Sequence, residues 1–295
     1  MTRPVEDARV TVVVMSRNRR RELLASLSRH RAPVVYVDNA STDGSAEAVR
    51  AAHPDVDVVE LDRNAGAYAR TVGARRARTP FVAFADDDSW WAPGALALAA
   101  DALSAHPRVG AVTARILVGA DERLDPVSVE MARSPLPPPP GGGPGPSLLG
   151  FVACATMVRT EAFLAVGGFD RVVRFPGEEE RVALDLVTAG RHLCYLDDAV
   201  VHHHPSSVRH GPAQRARGIA RSHVLTGVMR LPWRRAGARA AQALTTGAAT
   251  RRGALDAVRD LPAALRERRP VGPEVLAMLD RLEEAAGAAR EGQRV

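Results

Sequence analysis

The sequence predicts an α/β protein: a mainly parallel sheet flanked by helices, followed by a helical extension. Two observations carry this. Short β-branched or apolar runs alternate with segments of helical spacing through the first 118 residues, which implies right-handed βαβ units. From Ile219 onward, Ala- and Arg-rich helical segments dominate, broken at Pro232, Pro262, Pro270 and Pro273.

Each element has its own local reason. Val10 to Met15 is a β-branched run and reads as a buried strand. Arg19 to His30 has helical spacing, with Leu23, Leu24 and Leu27 on one side. Pro33 to Val37 is a second strand, ending at Asp38-Asn39; a turn cluster over Ala40–Gly44 then leads into a helix from Ser45 to Ala52. Val56 to Leu61 is a third strand, Ala67 to Ala77 a helix, and Phe81 to Ala85 a fourth strand. Pro93 to Ala105 is a helix with its proline near the first turn, and Val109 to Leu117 is a further strand. Ser134 to Ser147, rich in proline and glycine, is either a mobile functional loop or a disordered insertion. Phe151 to Val158 is strand-like, Glu161 to Val166 is a short helix, and Glu178-Glu179-Glu180 opens a helix that stops at Gly190. His192–Leu196 and Ala199–Val201 are strand-like and lead into His202-His203-His204.

Composition bounds the class. The 46% hydrophobic content is ordinary for a globular chain. No apolar stretch of about 18 residues indicates a transmembrane helix. The polar N-terminus shows no secretory signal, and Cys154 and Cys194 sit in apolar segments as core residues. A cytoplasmic setting is therefore expected. The net charge is +6, and all basic residues are arginine. From Pro205 to Gly272 there are 14 arginines against three acids, so the basic excess belongs to the C-terminal part. Such a surface, with Trp233 beside Arg230, Arg234 and Arg235, suits either an ordinary solvated helical appendage or peripheral contact with the inner face of the plasma membrane. The arginine excess is not taken as a sign of a nucleic-acid partner.

The chemistry concentrates at strand ends. Asp86-Asp87-Asp88 follows the buried run Phe81–Ala85. Carboxylates there are costly to desolvate without a partner, and a hard divalent cation prefers oxygen ligands that it often shares with phosphates. The competing explanation is an acidic turn capping the next helix. In α/β sheets ligands bind beyond the C-terminal strand ends, where Asn18, Asp38 and Asp86–Asp88 should gather.

The order and spacing of these segments resemble family 2 glycosyltransferases. TVVVMSRNR at Thr11–Arg19 is similar to the family's first strand and loop, and VDNASTDGS at Val37–Ser45 to its second nucleotide-binding segment. NAGAYARTVGA at Asn64–Ala74 resembles its N-x-G…A-R-N-x-G stretch, with Thr71 where Asn is usual. Phe81–Trp91 carries a D-x-D motif, and Gly167–Asp170 reads G-G-F-D. EEERVALDLVTAG at Glu178–Gly190 resembles the family's acceptor-helix segment, and Val200–His204 its closing strand and histidine. The resemblance spans about Val10 to Ser222.

The resemblance implies a GT-A fold, a Rossmann-like mixed sheet flanked by helices, with a glycosyltransferase domain over residues 1–222 and a helical extension over 223–295. Within the domain it implies a nucleotide-sugar half (1–118) and an acceptor half (150–205), with 134–147 as a flexible loop. It implies Asp88 as direct metal ligand for Mg²⁺ or Mn²⁺, Asp86 near the metal and the donor sugar or ribose, and His202 as a further ligand among the three histidines. Asp38 would meet the donor base, and Arg70 and Arg221 the diphosphate. Glu179, with Glu178 as its rival, would be the catalytic base. Arg181 and Asp185 depart from the family pattern while keeping a charge pair one helical turn apart.

The expected activity is inverting, metal-dependent transfer of a sugar from a UDP or dTDP donor to a hydroxyl of a cell-envelope glycan, a lipid-linked saccharide or a small molecule. The alternatives are a sugar-nucleotide-binding module without catalysis and a sugar nucleotidyltransferase. Thr11–Arg19 lacks the glycines that the last would need.

Overall fold

The computed structural model describes residues 3–206 and 211–292. Ten strands form one mixed sheet: β1 (Val10–Ser16), β2 (Val34–Asp38), β3 (Asp57–Glu60), β4 (Phe81–Asp86), β5 (Ser89–Trp91), β6 (Val109–Val118), β7 (Arg123–Leu124), β8 (Ser147–Leu148), β9 (Thr156–Arg159) and β10 (His192–His203). The main order is β3-β2-β1-β4-β9-β6-β10-β5, with β7 on β6 and β8 on β10. β3, β2, β1 and β4 run parallel, as the βαβ alternation predicts. β9 is antiparallel to both β4 and β6, and the sheet is therefore mixed.

Twelve helices accompany the strands among the described residues. They are α1 (Arg20–Leu27), α2 (Ser45–Ala52), α3 (Tyr68–Arg76), α4 (Ala95–Ala105), α5 (Pro126–Ala132), α6 (Thr160–Ala165), α7 (Glu179–Thr188), α8 (Pro212–Arg230), α9 (Trp233–Thr246), α10 (Ala248–Ala257), α11 (Leu261–Arg266) and α12 (Pro273–Gly292). Alternation along β1 and β2 sends side chains to two cores. Val13, Val35 and Val37 join α3, α6 and α7 on one face. Val12, Val14 and Tyr36 join α1, α2 and α4 on the other. On the first face Phe84, Phe163 and Phe169 meet edge to face, with ring centroids 5.2–5.8 Å apart.

Three local expectations are corrected. Residues 151–158 are not one strand: a 3₁₀ turn over Ala153–Ala155 precedes the short β9. The two segments 192–196 and 199–201 are one strand, β10, with a register irregularity against β6 between Leu196 and Val200. After the acidic triplet the chain does not enter a helix at once. It turns into β5, antiparallel to β10, with Trp91 Nε1 donating to the Phe84 carbonyl at 3.1 Å.

The Pro/Gly segment 134–147 lies along β10. Tyr195 N donates to the Pro146 carbonyl at 2.9 Å, and Leu136 is buried. The expected boundary at 222/223 falls inside α8. No helix among the described residues is long and apolar enough to cross a membrane.

Candidate active site

The C-terminal edge of the parallel strands gathers the predicted residues. Ser16 pairs with Asp38 across β1–β2, and Met15 with Asp86 across β1–β4, so the two acidic strand ends are near neighbours on one edge. The loop after β1 is tied to the loop after β2: Asn18 Oδ1 accepts from Thr42 N at 2.8 Å, and Asn18 N donates to Ser41 Oγ at 3.0 Å. Asn18 (φ 54°) and Ala40 (φ 62°) both occupy the left-handed region there, a conformation non-glycine residues adopt at a cost. Asn39 closes the next connection, accepting from Ala65 N at 2.7 Å and donating to the Gly66 carbonyl at 3.1 Å.

Beyond this edge lies a cleft of about 940 Å³, lined by Arg19, Arg70, Asp86, Asp88, Glu179 and His203, with α8 supplying part of the opposite wall. Arg70, almost fully buried, lies at its floor. It donates to Asp86 Oδ1 at 2.5 Å and to Glu178 Oε1 at 3.3 Å. Burial disfavours the guanidinium charge, but Asp86 and Glu178 more than offset this and leave its pKa raised.

The three glutamates of α7 divide. Glu178 is buried beneath the cleft and holds Arg70. Glu179 faces the cleft. Burial raises the pKa of both, with mutual repulsion adding to the effect on Glu178. Glu180 points toward the C-terminal helices, 2.7 Å from Arg239 Nη2.

Asp88 is held from the chain that follows β10. Its carbonyl accepts from His204 N at 2.8 Å, and its Oδ2 accepts from Ser206 N at 3.1 Å. His203 Nε2 stands 3.4 Å from Asp88 Oδ1. Asp87 is pushed up to about 8 by burial and by the flanking charges of Asp86 and Asp88.

The structure places the three histidines in two different surroundings, with His203 and not His202 beside Asp88. His202 and His204 share a face, as an extended strand requires, but it is the face turned away from Asp88. His202 stacks on Trp90 at 5.3 Å and sets Nδ1 3.0 Å from Glu122; His204 packs on the same indole at 4.7 Å. Arg221 is likewise not a cleft residue. It donates to Asp260 at 2.6 Å and to the Val172 carbonyl at 3.0 Å, joining α8 to the 3₁₀ turn before α11 and to the loop before α7. Asp38 lines a separate pocket of about 500 Å³ with Arg20, Ser41 and Glu60. Its Oδ1 accepts from Ser41 N at 3.0 Å.

Arg19, Ser206 and Arg215 also line the cleft, although the sequence assigns none of them a role; Arg19 is the last residue of the TVVVMSRNR segment. Arg19 donates to Ser206 Oγ at 2.8 Å, and so braces the loop that holds Asp88. Its place directly after the first strand is the one local signal for it. Arg215 is one of 14 arginines in a basic stretch, with no local mark to distinguish it.

The departures in α7 also resolve. Arg181 and Asp185 form the expected ion pair at 2.7 Å. Arg181 also reaches Asp170 at 2.7 Å, and Asp185 meets Arg230 of α8. Thr71, in place of the usual Asn, donates to the Phe169 carbonyl at 2.9 Å. Gly168 (φ +60°) has no room for a side chain, since a Cβ would stand 2.6 Å from Thr71 Oγ1.

Could this cleft hold a divalent ion? Among the described residues no three His, Cys, Asp or Glu side chains are gathered as a closed cage. The Asp88–His203 pair nevertheless supplies a carboxylate oxygen and an imidazole nitrogen at the cleft wall. That donor set suits Mn²⁺ or Mg²⁺ when further ligands come from phosphate and water.

The sequence profile of glycosyl transferase family 2 matches residues 11–165, more than half of the chain. The chain belongs to glycosyl transferase family 2. Similar solved structures agree with this fold. A mannosyltransferase from Pyrobaculum calidifontis, determined with GDP-Man and Mn²⁺, is 25% identical with a TM-score of 0.57, covering 97% of this chain and 76% of that one. TarS from S. aureus, residues 1–349 with UDP-GlcNAc, is 16% identical with a TM-score of 0.57, covering 87% and 81%. GalNAc-T7 with UDP, GalNAc and Mn²⁺ is 15% identical with a TM-score of 0.56, covering 88% and 56%. A comparison with curated proteins found no match. The protein is thus a glycosyltransferase with a GT-A sheet, and the acidic edge of that sheet faces the enzyme's main cleft.

Proposed function

We propose that this glycosyltransferase moves a sugar from a nucleoside-diphosphate donor to a hydroxyl acceptor by a single inverting displacement. The observation that carries the reading is the convergence in one cleft of Asp88 with His203, the Arg70–Asp86 pair and Glu179. The structure determined with GDP-Man and Mn²⁺ and those with UDP sugars support a sugar-nucleotide donor of this general kind.

Asp88 and His203 would hold a Mg²⁺ or Mn²⁺ ion. When bound, the ion neutralises charge on the leaving diphosphate. Arg70 holds Asp86 in place, so that its remaining acceptor capacity is available to the donor's hydroxyls. Arg19 and Arg215 place positive charge on the same walls, where diphosphate oxygens are best received. Asp38 lies two strands from Asp86, at a distance along the edge suited to a nucleobase whose imide N–H it accepts, as in a UDP or dTDP donor.

Glu179 takes the acceptor proton. Its raised pKa makes it a stronger base than an ordinary glutamate, which favours proton removal as the hydroxyl attacks. Glu178 acts differently. Buried and bound to Arg70, it holds the guanidinium rather than meeting substrate. Acceptors reach Glu179 from the side of Val152–Cys154 and Phe175, which line the same cleft.

A donor panel of UDP, dTDP and GDP sugars, assayed with Mn²⁺, with Mg²⁺ and with chelator, tests this. The expected result is metal-dependent release of nucleoside diphosphate from one donor class, abolished in Asp88→Ala. Binding and turnover unaffected by chelator would overturn the metal assignment. Failure to bind or consume any sugar nucleotide would overturn the donor reading.

A further inference from the structure

Helix α10, a 3₁₀ turn at Val258–Asp260 and α11 follow one another without a gap from Ala248 to Arg266. One side of this rod is fixed by packing. Ala254, Ala257 and Ala264 are buried in the core shared with α8, and a Cβ at Gly253 would collide with the Arg217 carbonyl. That close approach sets the rod's rotation and leaves Leu255, Val258 and Leu265 exposed at 59%, 58% and 48%. Three arginines, Arg252, Arg259 and Arg266, recur at seven-residue intervals beside them, and all are exposed.

The rod's charges are sorted. Its aspartates are engaged within the protein: Asp256 pairs with Arg217 at 2.5 Å, and Asp260 with Arg221 at 2.6 Å. Among the described residues no ion pair joins Arg252, Arg259 or Arg266 to an acid. The protein therefore neutralises the acids of this rod and presents its bases together with its bulky apolar side chains.

We infer that this stripe is a docking surface for an anionic phospholipid bilayer. Leucine and valine side chains enter the boundary between headgroups and acyl chains, while arginines beside them meet lipid phosphates. Neither contribution suffices alone, and the stripe carries both. It differs from the surface around Trp233 that the sequence suggested. That indole is exposed, but Arg268 stacks on it at 3.7 Å, and it lies on a different helix. The rod also borders the catalytic cleft, because Asp256 and its partner Arg217 are among the cleft's lining residues. A bilayer on the stripe would therefore lie beside the cleft mouth, where an acceptor at the membrane surface could be met. The lipid surface is inferred from this helix alone and stands apart from the donor chemistry.

Flotation of the full-length chain with vesicles of phosphatidylcholine plus phosphatidylglycerol, compared with phosphatidylcholine alone, tests the proposal. The wild type should float with the anionic vesicles only, and less so at high salt. Leu255→Ser/Leu265→Ser and, separately, Arg252→Ala/Arg259→Ala/Arg266→Ala should each lower recovery by roughly tenfold. All five side chains are exposed, and thermal melts should show both variants folded like the wild type. No flotation, equal flotation with neutral vesicles, or unchanged flotation by both variants would overturn the proposal. A shift from dimer to monomer on size exclusion in the leucine variant would also overturn it, and would assign the stripe to a second copy of the chain.

Discussion

His202 and His203 are neighbours in sequence, yet they meet different surroundings. His203 approaches Asp88 at 3.4 Å, whereas His202 lies between Trp90 and Glu122. His203→Ala should therefore weaken Mn²⁺-dependent nucleotide binding by about tenfold or more, since losing even an outer-shell partner of a metal ligand has that scale. His202→Ala should change it little, and titration calorimetry of both variants decides between them. The sequence could not make this choice. Which face of a strand meets the cleft depends on register, and β10 has an irregularity between Leu196 and Val200 that only its pairing with β6 reveals. The place of Arg221 outside the cleft lining was hidden for a related reason. Its partner Asp260 lies 39 residues away, and no local pattern announces that pair. That Asp86, Asp88, Arg70 and Glu179 meet at one cleft was legible because each sits at a strand exit or near a helix start whose identity is locally encoded.

At the scale of elements, helix α7 is held from both sides by charge. Asp185 accepts from Arg181 on its own helix and from Arg230 on α8, and both guanidiniums are nearly buried. Asp185→Ala would take the acidic partner from the buried Arg230 and leave Arg181 with Asp170 alone, which costs about 3–5 kcal/mol. The denaturant midpoint should fall accordingly, while Asp185→Glu should recover part of the loss. The helix-to-strand alternation of the first 118 residues could be read directly, because βαβ units are local in sequence and each carries its own periodicity. The short strands β5 and β9 could not. They are three and four residues long and owe their existence to β10, β4 and β6. β5 matters most, since its hairpin-like return brings Asp88 against the end of β10.

For the whole molecule, the C-terminal helices are part of the structure that holds the site. Val275 and Leu279 of α12 enter the same core as α7, and Val224, Leu225 and Met229 of α8 are buried with Val173 from the loop before α7. A chain ending at residue 222 would cut α8 and expose both cores. It should express as insoluble or unfolded protein, checked by soluble yield and circular dichroism; a folded, nucleotide-binding product would contradict this. The sequence resembles the glycosyltransferase family only to about Ser222, so the extension reads there as an appendage. Its packing onto α7 depends on long-range contacts that composition does not display.

The central claim is that Glu179, which lines the same cleft as Asp88 and His203, removes the acceptor proton. The most direct test measures turnover in Glu179→Gln with the donor and acceptor that the wild type uses, alongside its affinity for the donor. The account predicts unchanged donor affinity and a loss in kcat of about a hundredfold or more. Near-normal turnover in Glu179→Gln would contradict it.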